Sequence, residues 1–501
     1  MNRRLLWALW FALIPLAASG HIGNPNFIYE GSAGPYPVRV IIRTPGVVPG
    51  LADIHVRVLT NSVRQVSVLP VHWRAGEKGA PPPDLARPVA GETNLFNAQL
   101  WLMANGAYSV YVHLDGTAGR GTAIVPLNSI ATRQLPMQSG LGIVLSVFGV
   151  MLFLIAVTIV GAATRESVLS PGVVPTARRR WQAHGSTGFA ALFLITALWG
   201  GKHWWDVEDL RYRTKTMFKP LQVSATAPVE NGERILRLVM DDSRWGTGPA
   251  QPLVPDHGKI MHLFLIREPA LDAFAHLHPM RRMSNQFEVV LPPVPPGDYR
   301  VYADITQESG LSQTLTAFVK VPEAPPIALT GTPSSKLDPD DSWRPGPPWR
   351  AATNTVFPIG GGVIQWESAG ALPAGREVEL RFKVTGADGQ PALLQPFMGM
   401  LSHAAFRRED GAVFTHLHPA GTISMAAQQV FQLRAQARKT GAISEQMLEE
   451  LCRKQVVLQS REGLLFPCVF PEPGRYRLWV QVKIKGQIET GVFDVQVDAP
   501  P

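Results

Sequence analysis

The apolar positions of this 501-residue chain change period several times, and each change predicts a different element. A basic pair, Arg3 and Arg4, an apolar stretch over 5–17 and the small residues Ala18-Ser19-Gly20 predict an export signal over 1–20. Residues 21–135 carry short alternating or β-branched runs: Val38-Arg-Val-Ile-Ile-Arg43, Asp53-Ile-His-Val-Arg-Val58 and Tyr108-Ser-Val-Tyr-Val-His113. Gly and Pro punctuate them, so an immunoglobulin-like β-sandwich is expected. Residues 141–163 hold no charge and are long enough for a transmembrane helix. A second run reaches spanning length over 185–205 when the interfacial pair Trp204-Trp205 is included. The linker between them, 164–184, carries Arg165, Arg178, Arg179 and Arg180, which places it in the cytoplasm and both flanking regions outside.

Alternation resumes after 205 and then repeats. The first copy, 206–322, contains Ile235-Leu-Arg-Leu-Val-Met240, a histidine-bearing hairpin, and Pro296-Gly297-Asp298-Tyr299-Arg300. The second, 356–498, contains Val378-Glu-Leu-Arg-Phe-Lys-Val384, a similar hairpin, and Pro473-Gly474-Arg475-Tyr476-Arg477. Pro-Gly-x-Tyr-Arg reads as a turn into a late strand, its tyrosine buried and its hydroxyl bonded to backbone, as in a tyrosine corner. The Pro/Gly/Asp-rich stretch 323–355 is expected to be an irregular, exposed linker. About 428–461, the second copy gains an insertion with helical periodicity. Three β-sandwich modules, two membrane helices and a small helical insertion make a mainly β protein.

The hairpins carry the candidate chemistry. His262, His276 and His278 fall in the first, and His403, His416 and His418 in the second. If Asp410-Gly411 forms a two-residue type I′ tip, His403 lies opposite His418 and His416 shares their face. A symmetric loop over 268–272 gives the first hairpin the same layout. Opposed residues have Cβ atoms roughly 4.5–5.5 Å apart, so each hairpin gathers three imidazoles, and a one-residue slip would scatter them. Three neutral imidazoles suit copper or zinc. Met261, Met280, Met283, Met398, Met400 and Met425 are near in sequence, and thioether donors favour Cu(I). The competing reading is structural: Phe274 and Phe414 share the histidine face, which could be a core of stacked, hydrogen-bonded rings. Asp304 is a further candidate ligand, although Gln481 stands at its equivalent position in the second copy.

Signal cleavage after Gly20 would leave His21 at the N-terminus, where amine and ring together could chelate copper. That arrangement resembles the histidine brace of CopC-like copper carriers and lytic polysaccharide monooxygenases. His55, His72 and His113 are the local candidates for its second histidine. The net charge of +8 is dispersed, with no basic cluster interleaved with aromatics, which argues against nucleic acid as a partner. The two cysteines, Cys452 and Cys468, could form one disulfide in an oxidising compartment. The sequence has no Gly-x-Ser-x-Gly, no His-Glu-x-x-His and no phosphate-cradling glycine loop, so no reaction is indicated.

Several stretches carry a family resemblance: His21-Ile-Gly-Asn-Pro-Asn, Tyr29-Glu-Gly, Gly34-Pro-Tyr-Pro-Val and the paired Phe-x-His-Leu-His-Pro hairpins. With the two membrane segments, they look like a group of bacterial envelope proteins whose modules resemble YtkA-like and FixH-like β-sandwiches. The resemblance implies a sandwich fold, a place on the outer side of the bacterial cytoplasmic membrane, and an association of such modules with copper handling or oxidase assembly. Two functional expectations follow. One is a membrane-anchored copper-binding protein for carriage, delivery or resistance, serving an envelope partner such as a copper-dependent enzyme. The other is a non-catalytic interaction or assembly scaffold whose histidines are structural.

Overall fold

The computed structural model describes residues 26–60, 63–245, 252–323, 337–349, 354–367, 370–440 and 464–500. The expected signal over 1–20, His21, Cys452 and residues 441–463 of the insertion lie outside the described residues. Two compact units divide at Ser129/Ile130 and at Phe218/Lys219.

The smaller unit is helical. Helix α1, Ser139–Glu166, is 28 residues long and is the one described helix long and apolar enough to cross a membrane. Helix α2, Ala177–Arg211, does not meet that test, which corrects the expected second span over 185–205. Its composition explains why: His184, Gly185, Ser186, Thr187 and Gly188 dilute the charge-free run before Phe189. The expected linker over 164–184 is also too long. Helix α1 runs to Glu166, and α2 begins at Ala177, where the Thr176 side chain accepts the Arg179 N–H. The helices touch at Gly161, where a Cβ would collide with the Thr187 hydroxyl, and Ser186 Oγ donates to Thr164 Oγ1 at 2.8 Å.

The larger unit is built of six antiparallel sheets in three pairs. In the N-terminal pair, strands Asn26–Ala33, Tyr36–Arg43, Gly50–Val58 and Leu95–Leu102 face Val63–His72, Gly106–Gly116 and Gly119–Ser129. Alternation along Gly50–Val58 sends Ala52, Ile54, Val56 and Val58 into the shared core. The first repeat begins its strands at Val223 rather than at 206, because α2 and a π-turn occupy the chain to Thr216.

In each repeat the histidine hairpin lies in one sheet of the pair. In the first repeat that sheet has Ser312–Val321, Gly297–Thr306, His262–Arg267, Ala273–Leu277 and Ser342–Pro345 side by side. The last of these comes from the expected linker. Phe274, Ala275 and His276 pair with Arg344, Trp343 and Ser342, covering an edge that would otherwise be open. In the second repeat the order is Phe414–Leu417, Ser402–Arg408, Gly474–Ile484 and Gln487–Val497. Both tyrosine corners form as the motif predicts. The Tyr299 hydroxyl donates to Pro295 O at 2.6 Å and the Tyr476 hydroxyl to Glu472 O at 2.7 Å.

Helix α3, Met425–Thr440, opens the insertion directly after the second hairpin. Ser424 caps it, accepting the Ala427 N–H at 3.1 Å, and Asp256 of the first repeat accepts from the Ser424 hydroxyl at 2.9 Å. The N-terminal module docks on the second repeat. Arg39 bridges Glu30 of its own sheet to Glu377 and Glu379 across the contact, each at 2.6 Å.

Candidate metal centre

Both hairpins adopt the register expected of them. Leu263 pairs with Leu277 and Phe264 with His276; Ala404 pairs with Leu417 and Ala405 with His416. One step further along each ladder sets His262 against His278 and His403 against His418. The second tip is not a type I′ turn, since Gly411 has a positive φ, 72°, and Asp410 does not. It is a four-residue loop over 409–412, closed by Gly411 N–H to Arg408 O at 2.9 Å and by Arg408 N–H to Val413 O at 3.0 Å. The Asp410 carboxylate accepts from Ala412 N–H at 2.9 Å and pairs with Arg408 at 2.6 Å. Two-residue and four-residue loops centred on the same bond give the same register, so the histidine face survives the change.

The hairpins do not act independently. Their histidine faces pack on each other, and the contacts come in reciprocal pairs. Phe274 stacks on Trp479 of the other repeat at 4.9 Å between centroids, and Phe414 stacks on Tyr302 at 4.1 Å. Asp304 and Gln481 occupy equivalent positions, opposite His262 and His403 on neighbouring strands. Each reaches the middle histidine of the other hairpin: Gln481 Oε1 lies 2.9 Å from His276 Nδ1, and an Asp304 oxygen lies 3.4 Å from His416 Nδ1. One apolar core continues through the contact, from Phe264, Ile266 and Tyr302 to Phe406, Leu478 and Trp479.

Seven imidazoles meet there. The ligand atoms of His262, His276 and His278 lie within 4.8 Å of one another. A second group within that distance is His257, His403 and His418. Thus the first hairpin assembles its expected trio, while the second contributes two of its three and takes the third from the other repeat. His416 sits between the groups, 4.3 Å from His418 and 5.4 Å from His262, centroid to centroid. His257 escaped the sequence reading because it precedes the hairpin. The repeat nevertheless extends to it: Pro255-Asp-His257-Gly258 and Pro396-Phe-Met398-Gly399 each stand five residues before the first hairpin histidine.

Burial keeps these rings neutral. Desolvation, reinforced by neighbouring imidazoles, holds His276, His278, His403 and His416 well below the usual histidine range. It brings His262 to about 4 and His418 to about 3, against the pull of Asp256, and lowers His257 likewise. Lone pairs are therefore available at neutral pH. Burial also pushes Asp304 and Asp341 up to about 7. Asp341, from the stretch expected to be exposed linker, is buried and sits 2.9 Å from His278 Nδ1, leaving Nε2 directed inward. The nitrogens of His257 and His403, and Nε2 of His278 and His416, have no hydrogen-bond partner among the described residues.

The donor set fits a metal at one further point. His262 Nε2–H donates to Asp256 O at 3.1 Å, so its Nδ1 carries a lone pair. Gln481 donates through Nε2 to Ser342 Oγ, which leaves Oε1 to accept from His276 Nδ1–H, so His276 Nε2 also carries a lone pair. These lone pairs face each other across 3.2 Å. With metal–nitrogen bonds of about 2.0–2.1 Å, the edge of a tetrahedral site is about 3.3 Å.

The other candidates are placed elsewhere. His55 pairs with Asp53 at 2.6 Å, His113 Nδ1 lies 2.9 Å from Thr122 Oγ1, and His72 packs edge-on against Tyr108. Met261, Met398 and Met400 are buried, as is Met425, whereas Met280 and Met283 are exposed. Cys468 is buried, which pushes its thiol upward.

A family described as a domain of unknown function, DUF8832, matches residues 221–323 and 359–499, which include both hairpins and His257. No curated protein matches the chain. Among solved structures, a tetra-tandem repeat from the extending region of a large adhesion protein is 8% identical, covering 90% of this chain and 71% of that one, with a TM-score of 0.15. A putative membrane-anchored protein from Corynebacterium diphtheriae is 8% identical over 95% of this chain and 96% of that one, with a TM-score of 0.14. At such scores these likenesses carry no argument about fold or function.

Proposed function

We propose that this chain is a membrane-anchored extracytoplasmic protein whose histidine cluster binds a transition metal, copper, for carriage, delivery or resistance. The observation that carries the reading is the set of buried imidazole nitrogens without hydrogen-bond partners. Each such atom costs about 1–3 kcal/mol when left unsatisfied, and a metal ion would satisfy several at once. Depressed histidine pKa values, a carboxylate and an amide that orient individual rings, and a tetrahedral edge between His262 and His276 support it further. Buried thioethers in the same repeats favour copper over zinc. Helix α1 supplies the anchor. Strand pairing supports reading the modules as immunoglobulin-like, and the envelope resemblance supports an extracytoplasmic place. A copper-dependent envelope enzyme is the partner this reading implies.

A scaffold with structural histidines is the second reading, favoured by the stacking of His276 on Phe264 at 4.2 Å. Titration of the detergent-solubilised full chain with Cu(I), Cu(II) and Zn(II) separates the two, alongside a variant with all seven histidines changed to alanine. About two equivalents of Cu(I) bound by the wild type and no metal bound by a folded variant are expected. Absence of binding at micromolar metal would leave the scaffold.

A further inference from the structure

The two three-histidine groups are not alike, and the difference traces to one position. His257 and Met398 are equivalent by sequence and by backbone. Their φ angles are 51° and 48°, and the following Gly258 and Gly399 have 78° and 73°. Each sits in a turn closed by the same bridge, Asp256 to Lys259 and Phe397 to Met400. The residue before each touches the first histidine of its own hairpin: Asp256 O lies 3.1 Å from His262 Nε2, and Phe397 packs 4.8 Å from the His403 ring. Positive φ costs a non-glycine residue about 1–2 kcal/mol, yet the chain places long side chains there twice.

His257 joins His403 and His418 of the opposite repeat. The contact between repeats is reciprocal at two further sets of positions, Phe274/Trp479 with Phe414/Tyr302 and Gln481/His276 with Asp304/His416. Met398 is 6% exposed, and extending the same exchange to it would bring it to His262 and His278. We propose that Met398 supplies a thioether to the His262/His276/His278 group. The protein then has two unlike sites: a histidine–methionine site selective for Cu(I), and an all-histidine site at His257, His403 and His418 that also accepts Cu(II) or Zn(II). A soft sulfur donor favours the monovalent ion, and imidazole alone does not discriminate in this way. The proposal rests on the metal reading above and adds which ion each half takes.

The test uses the full chain in detergent with Cu(I) and Zn(II) as probes, against a competing chromogenic chelator. In Met398→Leu, one of two Cu(I) sites should weaken by about tenfold or more, with Zn(II) binding unchanged. Met398→His should raise Zn(II) from one equivalent to two. X-ray absorption at the copper edge of the Cu(I)-loaded wild type should include a sulfur scatterer that Met398→Leu lacks, and this holds even if Met398→His misfolds. Two Cu(I) bound equally tightly by wild type and Met398→Leu, or a wild-type spectrum with nitrogen alone, would overturn the unlike sites and leave the metal reading standing. A wild type that binds no metal would remove both.

Discussion

Gln481 Oε1 lies 2.9 Å from Nδ1 of His276, across the contact between two repeats and 205 positions away in the chain. The bond selects the tautomer that turns Nε2 of His276 toward His262. Gln481 is therefore a positioning residue. Its replacement by leucine removes the acceptor while the ring stays buried. Metal affinity should fall about tenfold with stoichiometry retained, as read by chelator competition. Unchanged affinity would mean that the amide only fills space.

The seam itself is open to test at Trp479, 1% exposed and stacked on Phe274. Trp479→Ala should cost about 3–5 kcal/mol in denaturant unfolding. It should also weaken metal binding, because the His257/His403/His418 group draws on both repeats and Gln481 of the second repeat orients His276 of the first. A loss under about 1 kcal/mol would mean that the repeats fold without each other's support.

Acidification should unfold the metal-free protein. The seven clustered histidines have folded pKa values below the unfolded value, so the unfolded state binds more protons below roughly pH 6.5. Stability then rises with pH in that range and is lost as pH falls from about 6.5 toward 4, near the folded value of His262. Asp304 and Asp341, raised to about 7, act in the opposite sense between their unfolded value and 7. Two carboxyls oppose seven imidazoles, so the net slope stays positive. Melting temperatures recorded from pH 7.5 to 4.5 should decline throughout; a flat profile would contradict the burial of neutral rings.

Arg39 joins the N-terminal module to the second repeat through Glu377 and Glu379. Arg39→Met leaves the acceptors partly hydrated, so the expected loss is modest, about 1–3 kcal/mol. Limited proteolysis should release the N-terminal module sooner than in the wild type. Equal cleavage rates would mean that the backbone pairing of Glu30 with Ala420 suffices.

Local periodicity made the hairpins and tyrosine corners legible. Strand alternation has period two, and a symmetric loop of either even length returns His403 to His418. The facing of the repeats was not legible, since no spacing within one copy records which surface of the other it meets. His257 could have been found by extending the alignment five residues upstream, but histidine in one copy and methionine in the other concealed the match. The strand Ser342–Pro345 hid in a proline-rich stretch because its partner, the edge at His276, lies in a sheet the stretch merely visits. Helix α2 shows the limit of counting uncharged residues: the run was real, but the polar and small residues from His184 to Gly188 make it less apolar than a span requires.

The reciprocal seam has a consequence for how such a pocket can diversify. Were the two halves separate copies of one chain, a twofold axis would impose the same residue on both sides of every exchanged pair. A single polypeptide holding both halves is free of that constraint. It carries aspartate at 304 and glutamine at 481, histidine at 257 and methionine at 398, tyrosine at 302 and tryptophan at 479. Covalent linkage turns a symmetric enclosure into one whose two chambers can be changed one residue at a time.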